Sequence, residues 1–322
     1  MSIARINYVA GPAKLVRGAG VCFTKSNFAV RLDKETTKIV VDAYGEIDQR
    51  DEDIMVKADF IPEGRWNAST RAFLWPYIDP NIGSQIFGVS DTATLIHDSN
   101  GHLHTIVASA LTKMPSIKLS ARETIIGSAE ITGIRSSTKD WADAGSLYTV
   151  AKTGGTLKDA DTPFSTDLIK VQTYTGVWGA LTGFGAIITE AGWDIDFDTD
   201  IAWIKTDELG TVAGYLKSVS VMAKCIPVGT PAASEAAVDQ ANLDAQQRVQ
   251  ATGGARGRSS NANGADLTIT GKDGTTIIII NNAGLVRAGY RFGCDVLRQG
   301  EFGWVATRSF ALGVAGPLCT LA

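Results

Sequence analysis

The feature that most constrains this chain is an internal repeat. Residues 24 to 69 recur at residues 189 to 234, with a constant offset of 165 positions. The frame Asp42-x-x-Gly45, Val56-x-Ala58-x-x-Ile61-Pro62-x-Gly64 and Ala68-Ser69 returns as Asp207-x-x-Gly210, Val221-x-Ala223-x-x-Ile226-Pro227-x-Gly229 and Ala233-Ser234. Gly and Pro mark positions that need unusual or fixed backbone dihedrals. The repeat therefore predicts one structural unit built twice, as a tandem duplication.

The repeat resumes after a shift, which indicates where the copies differ in length. At an offset of 173, Gly101, Ala110, Gly127, Arg135 and Ser136 are matched by Gly274, Ala283, Gly300, Arg308 and Ser309. The second copy thus gains eight residues between Ser234 and Gly274, where small polar residues predict a flexible loop over 250–265. We expect two domains, 1–150 and 166–322, joined by a linker over 151–165.

Composition limits the classes of function. The net charge of −4 and the pI near 5.5 argue against a protein that grips nucleic acid phosphates. Four cysteines without a CxxC pair or metal-ligand spacing predict reduced thiols in the core. No signal-like N-terminus or long apolar run stands out, so we expect a protein made in the cytosol without a membrane partner.

The hydrophobic pattern predicts a mainly β fold with a minor helical part. Apolar and polar residues alternate over Phe28–Asp33 and over Trp193–Ile201, as in strands with one buried face. A helix is predicted over Trp66–Leu74, and its counterpart begins at Thr230-Pro231 and runs to about Val249. Each half is expected to form a β-sandwich or small barrel with one flanking helix.

The strongest chemical oddity is a ladder of four carboxylates: Asp194, Asp196, Asp198 and Asp200. A period of two places all four on one strand face, about 6.7 Å apart given about 3.3 Å of rise per residue. Such a row repels itself unless it faces water or cations. Three interpretations remain open: a solvated strand face, a subunit interface that meets Lys or Arg, and the wall of an aqueous channel.

Catalytic groups are sparse in this sequence. All three histidines, His97, His102 and His104, flank one predicted turn, and His102 and His104 should share a strand face. With His97 or Asp98 they form a candidate metal site; the alternative is an exposed hairpin with polar residues on its wet face. Neither a G-x-S-x-G elbow nor a phosphate-binding lysine motif is present, so we predict no enzyme, no catalytic residue, no metal and no cofactor.

Several segments together carry a family resemblance. They are Gly11-Pro-Ala, Asp42-Ala-Tyr-Gly45, Ile61-Pro62-Glu-Gly64, Lys113-Met-Pro115-Ser-Ile, Thr189-Glu-Ala-Gly-Trp-Asp-Ile, Thr206-Asp-Glu-Leu-Gly210-Thr-Val, Val219-Ser-Val-Met-Ala-Lys-Cys-Ile-Pro227 and Leu297-Arg298-Gln-Gly300-Glu-Phe. In this pattern, which covers most of the chain, the sequence resembles the tail tube proteins of long-tailed bacteriophages.

The resemblance implies a structural protein of the virion tail. Subunits of that family join their sheets into rings, and stacked rings form the tube through which DNA leaves the virion. A chain with a duplicated tube domain is expected to form homotrimeric, pseudo-hexameric rings, with a homohexamer as the alternative, and to contact other tail proteins. The alternatives in function are a duplicated distal-tail or hub ring component and an all-β metal-dependent hydrolase using the histidine cluster.

A tube that passes DNA needs a hydrophilic bore with little positive charge. Besides the aspartate ladder, the segment Tyr44–Asp53 is acidic, and we predict that it is a loop. Its candidate residues for the lumen or for ring-to-ring contact are Glu46, Asp48, Asp51, Glu52 and Asp53.

Overall fold

The computed structural model of this chain confirms a mainly β fold, and the strands that it describes pair antiparallel. The structure describes residues 12–25, 28–42, 44–79, 84–87, 92–140, 143, 145–152, 167–179, 186–206, 208–229, 265–287, 290–292, 297–307 and 316–322.

The first half contains these elements: β1 (Lys14–Arg17), β2 (Gly20–Phe23), β3 (Ala29–Val41), β4 (Gly45–Phe60), α1 (Ala68–Leu74), β5 (Gln85–Phe87), β6 (Thr94–His97), β7 (His102–Ile106), β8 (Ala108–Lys113), β9 (Ile117–Leu119), β10 (Thr124–Ile126), β11 (Ala129–Ile134) and β12 (Tyr148–Lys152). The second half contains β13 (Tyr174–Trp178), β14 (Ile188–Thr206), β15 (Gly210–Gly229), β16 (Ala265–Gly271), β17 (Ile277–Arg287), β18 (Tyr290–Phe292), β19 (Leu297–Gln299), β20 (Phe302–Val305) and β21 (Cys319–Leu321).

The sheets of the first half have the orders β12-β7-β6-β1-β2 and β3-β4-β11-β8. A larger sheet has the order β10-β9-β14-β15-β20-β17-β16-β13, with β21 paired to β17 and β5 paired to β15. This sheet joins both halves, because β5, β9 and β10 come from the first half. In the described part of the chain, β18 and β19 pair only with each other.

The predicted helix of the first half is confirmed, with a start two residues later. Asn67 is the N-cap, and its side chain accepts a hydrogen bond from the Thr70 backbone N–H at 2.9 Å. The side chains of Phe73 and Leu74 are buried on the inner face of the helix. The counterpart helix predicted from Thr230 to Val249 lies outside the described residues.

One apolar core cluster includes residues of both halves, and its members Trp193 and Trp304 are fully buried. Their rings lie 5.7 Å apart. Cys22, Cys225 and Cys319 are free and buried, as predicted, and burial raises the pKa of each thiol. Cys294 lies outside the described residues.

The long hairpins β3–β4 and β14–β15 have the same pairing register. The pairs Ala29↔Asp59 and Leu32↔Val56 recur 165 positions later as Asp194↔Lys224 and Phe197↔Val221. Two irregularities recur as well, because the register shifts after Glu35 and Ile39 return after Asp200 and Ile204. The bridge Thr24↔Pro62 returns as Thr189↔Pro227. The repeat in sequence therefore corresponds to a repeat in backbone geometry.

The later strands repeat too. The hairpin β9–β10 has the register Ile117↔Ile126 and Leu119↔Thr124, and β18–β19 has the same register 173 positions later. One detail of the predicted alignment is wrong: Ala110, which pairs with Thr132, corresponds to Gly284, which pairs with Val305, and not to Ala283. The hairpin after β16 is one residue longer than that after β6, so the offset there is 174.

Three segments predicted as loops or linkers can be compared with the structure. The segment Tyr44–Asp53 is not a loop, because residues from Gly45 onward belong to β4. Its partner β3 supplies the backbone hydrogen bonds that let such a polar sequence form a strand. The linker predicted over 151–165 begins inside β12, and its residues 153–165 lie outside the described residues. Of the loop predicted over 250–265, only Ala265 is described, and it begins β16.

Candidate assembly interface

The candidate site is the junction between the two halves, where β9 of the first half adds to the edge of β14. The register is Trp193↔Leu119, Asp194↔Lys118 and Ile195↔Ile117. The first half thus presents a short hairpin, and the second half presents a strand edge. Because the two surfaces differ, this is a heterologous contact, the type that can continue from one unit to the next.

Gly192 makes the close approach of β9 possible. Its φ is +97°, and a Cβ there would lie 2.1 Å from the Leu119 carbonyl oxygen. Thr189 Oγ1 accepts a hydrogen bond from the Gly192 backbone N–H at 3.1 Å, within the irregular stretch where β14 bends. Only glycine fits both the backbone conformation and the space.

Apolar side chains on one face of β14 pack at this junction. Trp193 and Ile195 are fully buried, and Phe197 is nearly so. The ring of Phe197 lies 5.9 Å from that of Trp75, which directly follows α1 in the first half. On the same face, Thr199 Oγ1 donates a hydrogen bond to the Thr112 carbonyl oxygen at 2.8 Å.

A second group of contacts lies further along the hairpins. The buried Asp53 carboxylate accepts hydrogen bonds from the backbone N–H of Thr211, at 3.1 Å, and from its hydroxyl. Lys205 Nζ lies 3.7 Å from Asp53 Oδ2 and also contacts Glu35. Strand β5 extends the same junction by pairing with Gly214 and Tyr215 of β15.

The aspartate ladder lies on one strand face, as its spacing predicts, and alternates with Trp193, Ile195 and Phe197. Lysines of the same chain meet it: Lys224 Nζ lies 2.7 Å from Asp196 Oδ2, and Lys217 Nζ lies 2.8 Å from Asp200 Oδ2. Asp194 pairs in register with Lys118 of the first half and Lys224 of β15. The ladder is therefore partly neutralised within the chain.

The electrostatics of Asp194 reflect this position. Partial desolvation raises the pKa of its carboxyl, Lys118 opposes the shift, and Asp196 adds to it. The Lys118 ammonium also bonds Glu123 at 2.7 Å. Asp198, the third carboxylate of the aspartate ladder, is exposed, and its register partner on β15 is Ser220.

The equivalent face of the first half carries charges of both signs. Arg31 contacts Asp59, lies 3.4 Å from Asp33 and reaches Glu130 at 3.2 Å. Lys57 Nζ bonds Asp33 at 3.0 Å. This network connects β3, β4 and β11, so the charged side chains of this face bind one another.

The acidic residues of Tyr44–Asp53 do not share one environment. Glu46 is exposed and bonds Lys38 Nζ at 2.7 Å, and Asp48 is exposed near the turn of the hairpin. Asp53 differs from both, because its carboxylate is buried at the junction against Thr211. Asp51 and Glu52 belong to β4, where Asp51 pairs with Thr36 of β3, and their side chains lie outside the described part.

The histidine cluster fastens a hairpin. Asp98 accepts the backbone N–H groups of His102, at 2.7 Å, and Asn100, at 2.9 Å, and His102 Nδ1 lies 3.1 Å from its carboxylate. Burial opposes ionisation of Asp98, but these donors prevail and lower its pKa. His104 Nδ1 contacts the Tyr148 hydroxyl at 2.6 Å, and burial lowers the pKa of His104.

The equivalent hairpin of the second half is fastened without imidazole. Asp273 accepts hydrogen bonds from Thr275 N at 3.0 Å, from Gln172 Nε2 at 2.9 Å and from Lys170 Nζ at 2.6 Å. Among the described residues, no group of three or more His, Cys, Asp or Glu is arranged to hold a metal ion. Asp98 and Asp273 each accept backbone N–H groups of their own hairpin turns.

Sequence reasoning missed the residues that build the junction. Trp193, Gly192 and Thr211 were noted at most as parts of patterns, and their contacts join segments far apart in the chain. The sequence carries one signal of this junction: Gly192 departs from the repeat, because the first copy has Asn27 at the equivalent position.

No helix in the described part of the chain is long and apolar enough to cross a membrane. A scan against protein-family models and a search of curated proteins both find no match to this chain.

Proposed function

We propose that this chain is a structural subunit of a bacteriophage tail tube, which forms stacked rings that conduct DNA during ejection. The observation that supports this most directly is the heterologous junction between the two halves, whose long hairpins β3–β4 and β14–β15 have the same pairing register. A contact of this type, repeated between chains, closes into a ring when the rotations from unit to unit complete a full circle. The role needs no catalytic residue or cofactor.

The duplicated plan supports a particular stoichiometry. If each half occupies one position of a sixfold circle, three chains complete it, with junctions inside and between chains alternating around the ring. Pairing between strand edges also covers backbone groups that would otherwise invite aggregation. Homotrimeric rings with pseudo-sixfold symmetry are therefore the preferred assembly, and other tail proteins would bind at the ends of the stack.

Surface charge is consistent with the passage of DNA. The chain has a net charge of −4, and the candidate residues for a negative bore are the exposed Glu46, Asp48 and Asp198. A bore without a strong positive field lets phosphates slide instead of binding. The localisation that follows is the virion tail.

Native mass spectrometry and electron microscopy of the purified protein test the proposal. We expect rings of three chains that stack into hollow tubes at high protein concentration. Rings that never stack would favour a distal-tail or hub component. Monomers at high concentration, or oligomers without a bore, would contradict the proposed function.

A further inference from the structure

We infer that the β18–β19 hairpin of one chain pairs with the open edge of β3 in a second copy of the chain, in the register Phe28↔Phe292, Ala29↔Arg291 and Val30↔Tyr290. This inference deepens the proposed ring-forming function, on which it rests for its partner. It names the strands and the register of the contact between chains.

The first step is that both surfaces of the junction occur twice. The hairpin β9–β10, which docks within the chain, has its counterpart in β18–β19, with the same internal register. The docking edge of β14 has its counterpart in β3, with the same register toward its hairpin partner. One hairpin and one edge are used within the chain, and the other hairpin and edge are paired to no further strand of the described residues.

The second step concerns burial. The apolar face that β9 and its neighbours cover in the second half comprises Trp193, Ile195 and Phe197, each 7% exposed or less. Its counterparts in the first half are less covered: Phe28 and Val30 are half-buried, and Leu32 is 59% exposed. An apolar row that is exposed along an open strand edge is a surface that a further element can cover.

The third step fixes the direction of the backbone groups. The Ala306 N–H donates to the Val221 carbonyl oxygen at 2.9 Å. Every second residue of β15, counted from Val221, therefore directs its backbone N–H and C=O toward β20. Lys224 therefore directs its backbone N–H and C=O toward β14, and its partner Asp194 directs its own toward β15. Trp193 and Ile195 direct theirs toward β9.

By the same alternation, Phe28 and Val30 direct their backbone groups toward the open side of β3. Ala29 takes the position of Asp194, which lies opposite Lys118 in a pair without mutual hydrogen bonds. The Cα atoms of such a pair lie about 4.5 Å apart. This distance suits a disulfide, which gives the register a direct test.

The test uses the double variant Ala29→Cys with Arg291→Cys, in a chain that also carries Cys294→Ser. The remaining native thiols, Cys22, Cys225 and Cys319, are buried. Under mild oxidation we expect a reducible ladder of covalently linked chains whose largest member equals the ring size from native mass spectrometry. Two controls are matched: Lys118→Cys with Asp194→Cys should link only within one chain, and Ala29→Cys with Arg298→Cys should not link, because Arg298 lies one strand further away.

A second variant needs no cysteine. Val30→Pro removes one outward N–H of the β3 edge while keeping the hydrogen bonds to β4. We expect the concentration needed for half-assembly to rise by about tenfold or more, with circular dichroism unchanged, since each lost hydrogen bond in the contact is multiplied around the ring. Unchanged assembly would overturn the inference.

The outcomes separate this inference from the proposed function. Rings on native mass spectra without a link between Ala29→Cys and Arg291→Cys, while the internal control links, would leave the tube standing and overturn the register. Linked chains that form no hollow ring would support the hairpin contact and contradict the tube.

Discussion

The edges of β3 and β14 have the same register in their hairpins, yet one is covered and the other is open. In β14, Trp193 is fully buried because β9 and Trp304 pack around it. In β3, Phe28 at the equivalent position is only half-buried and lies edge-on to His104, with ring centroids 5.2 Å apart. The difference shows that equal backbone plans acquire different roles through their neighbours.

The comparison predicts its largest effect at Trp193. Trp193→Ala should lower the free energy of unfolding by about 3–5 kcal/mol, because it leaves a large cavity at the junction. Phe28→Ala should lose about half as much in the dissociated chain. Urea unfolding monitored by far-UV circular dichroism, at concentrations below assembly, measures both; equal losses would contradict the contrast between the two edges.

The next effect is expected at Gly192. Gly192→Ala should cost about 2–3 kcal/mol, since a side chain meets both a positive φ and the Leu119 carbonyl oxygen. Gly274→Ala is the control, because Gly274 has φ +71° but no atom within 4 Å of an added Cβ. Its cost should be about 1 kcal/mol. Similar thermal denaturation shifts for both variants would show that the approach of β9 is not restrictive.

Asp53 tests the polar part of the junction. Asp53→Ala leaves the buried Thr211 N–H without this acceptor, so we expect a loss of about 2 kcal/mol. The equivalent residue of the second half, Ser218, is exposed. Ser218→Ala should therefore change stability by less than about 0.5 kcal/mol. Denaturant titrations of both variants measure the difference, and a neutral Asp53→Ala would remove this contact from the junction.

The smallest predicted effect is the pH dependence of stability that Asp98 contributes to its hairpin. The pKa of Asp98 is lowered on folding, so its ionised form adds stability above the usual pKa of 3.8, and this is lost as pH falls through the lower folded value. Asp98→Asn should cost about 1 kcal/mol at neutral pH and weaken the acid dependence of stability.

Thermal unfolding between pH 2 and pH 7 checks this prediction. A variant that keeps the full acid dependence would assign that dependence to other carboxylates. His104→Phe serves as a comparison, because it keeps a ring against Phe28 and removes the nitrogen that contacts Tyr148.

Much of the fold was predictable from local patterns. Alternation placed Trp193, Ile195 and Phe197 on a buried face and the aspartates on the opposite one, and this prediction is confirmed. The helix predicted over Trp66–Leu74 is confirmed as α1, although it starts two residues later, after the N-cap Asn67. The predicted loop at Tyr44–Asp53 was wrong, because polar residues in a two-stranded ribbon carry no periodic apolar signal.

The candidate site was less predictable. The acidic character of Asp53 suggested a solvated residue, whereas its carboxylate is buried against Thr211, 158 positions later in the chain. The ladder lysines Lys217 and Lys224 lie on the adjacent strand, and Lys118 comes from the other half. Such partners depend on sheet order, which local patterns do not specify.

By itself, the sequence determined that one strand plan is used twice, because Gly, Pro and apolar residues at fixed spacing impose the same turns and the same buried faces. Only the tertiary structure decided which copy of each edge is satisfied within the chain. That choice depends on contacts between distant segments, where the hairpin β9–β10 finds β14, while β18–β19 and β3 pair with no further strand of the described chain.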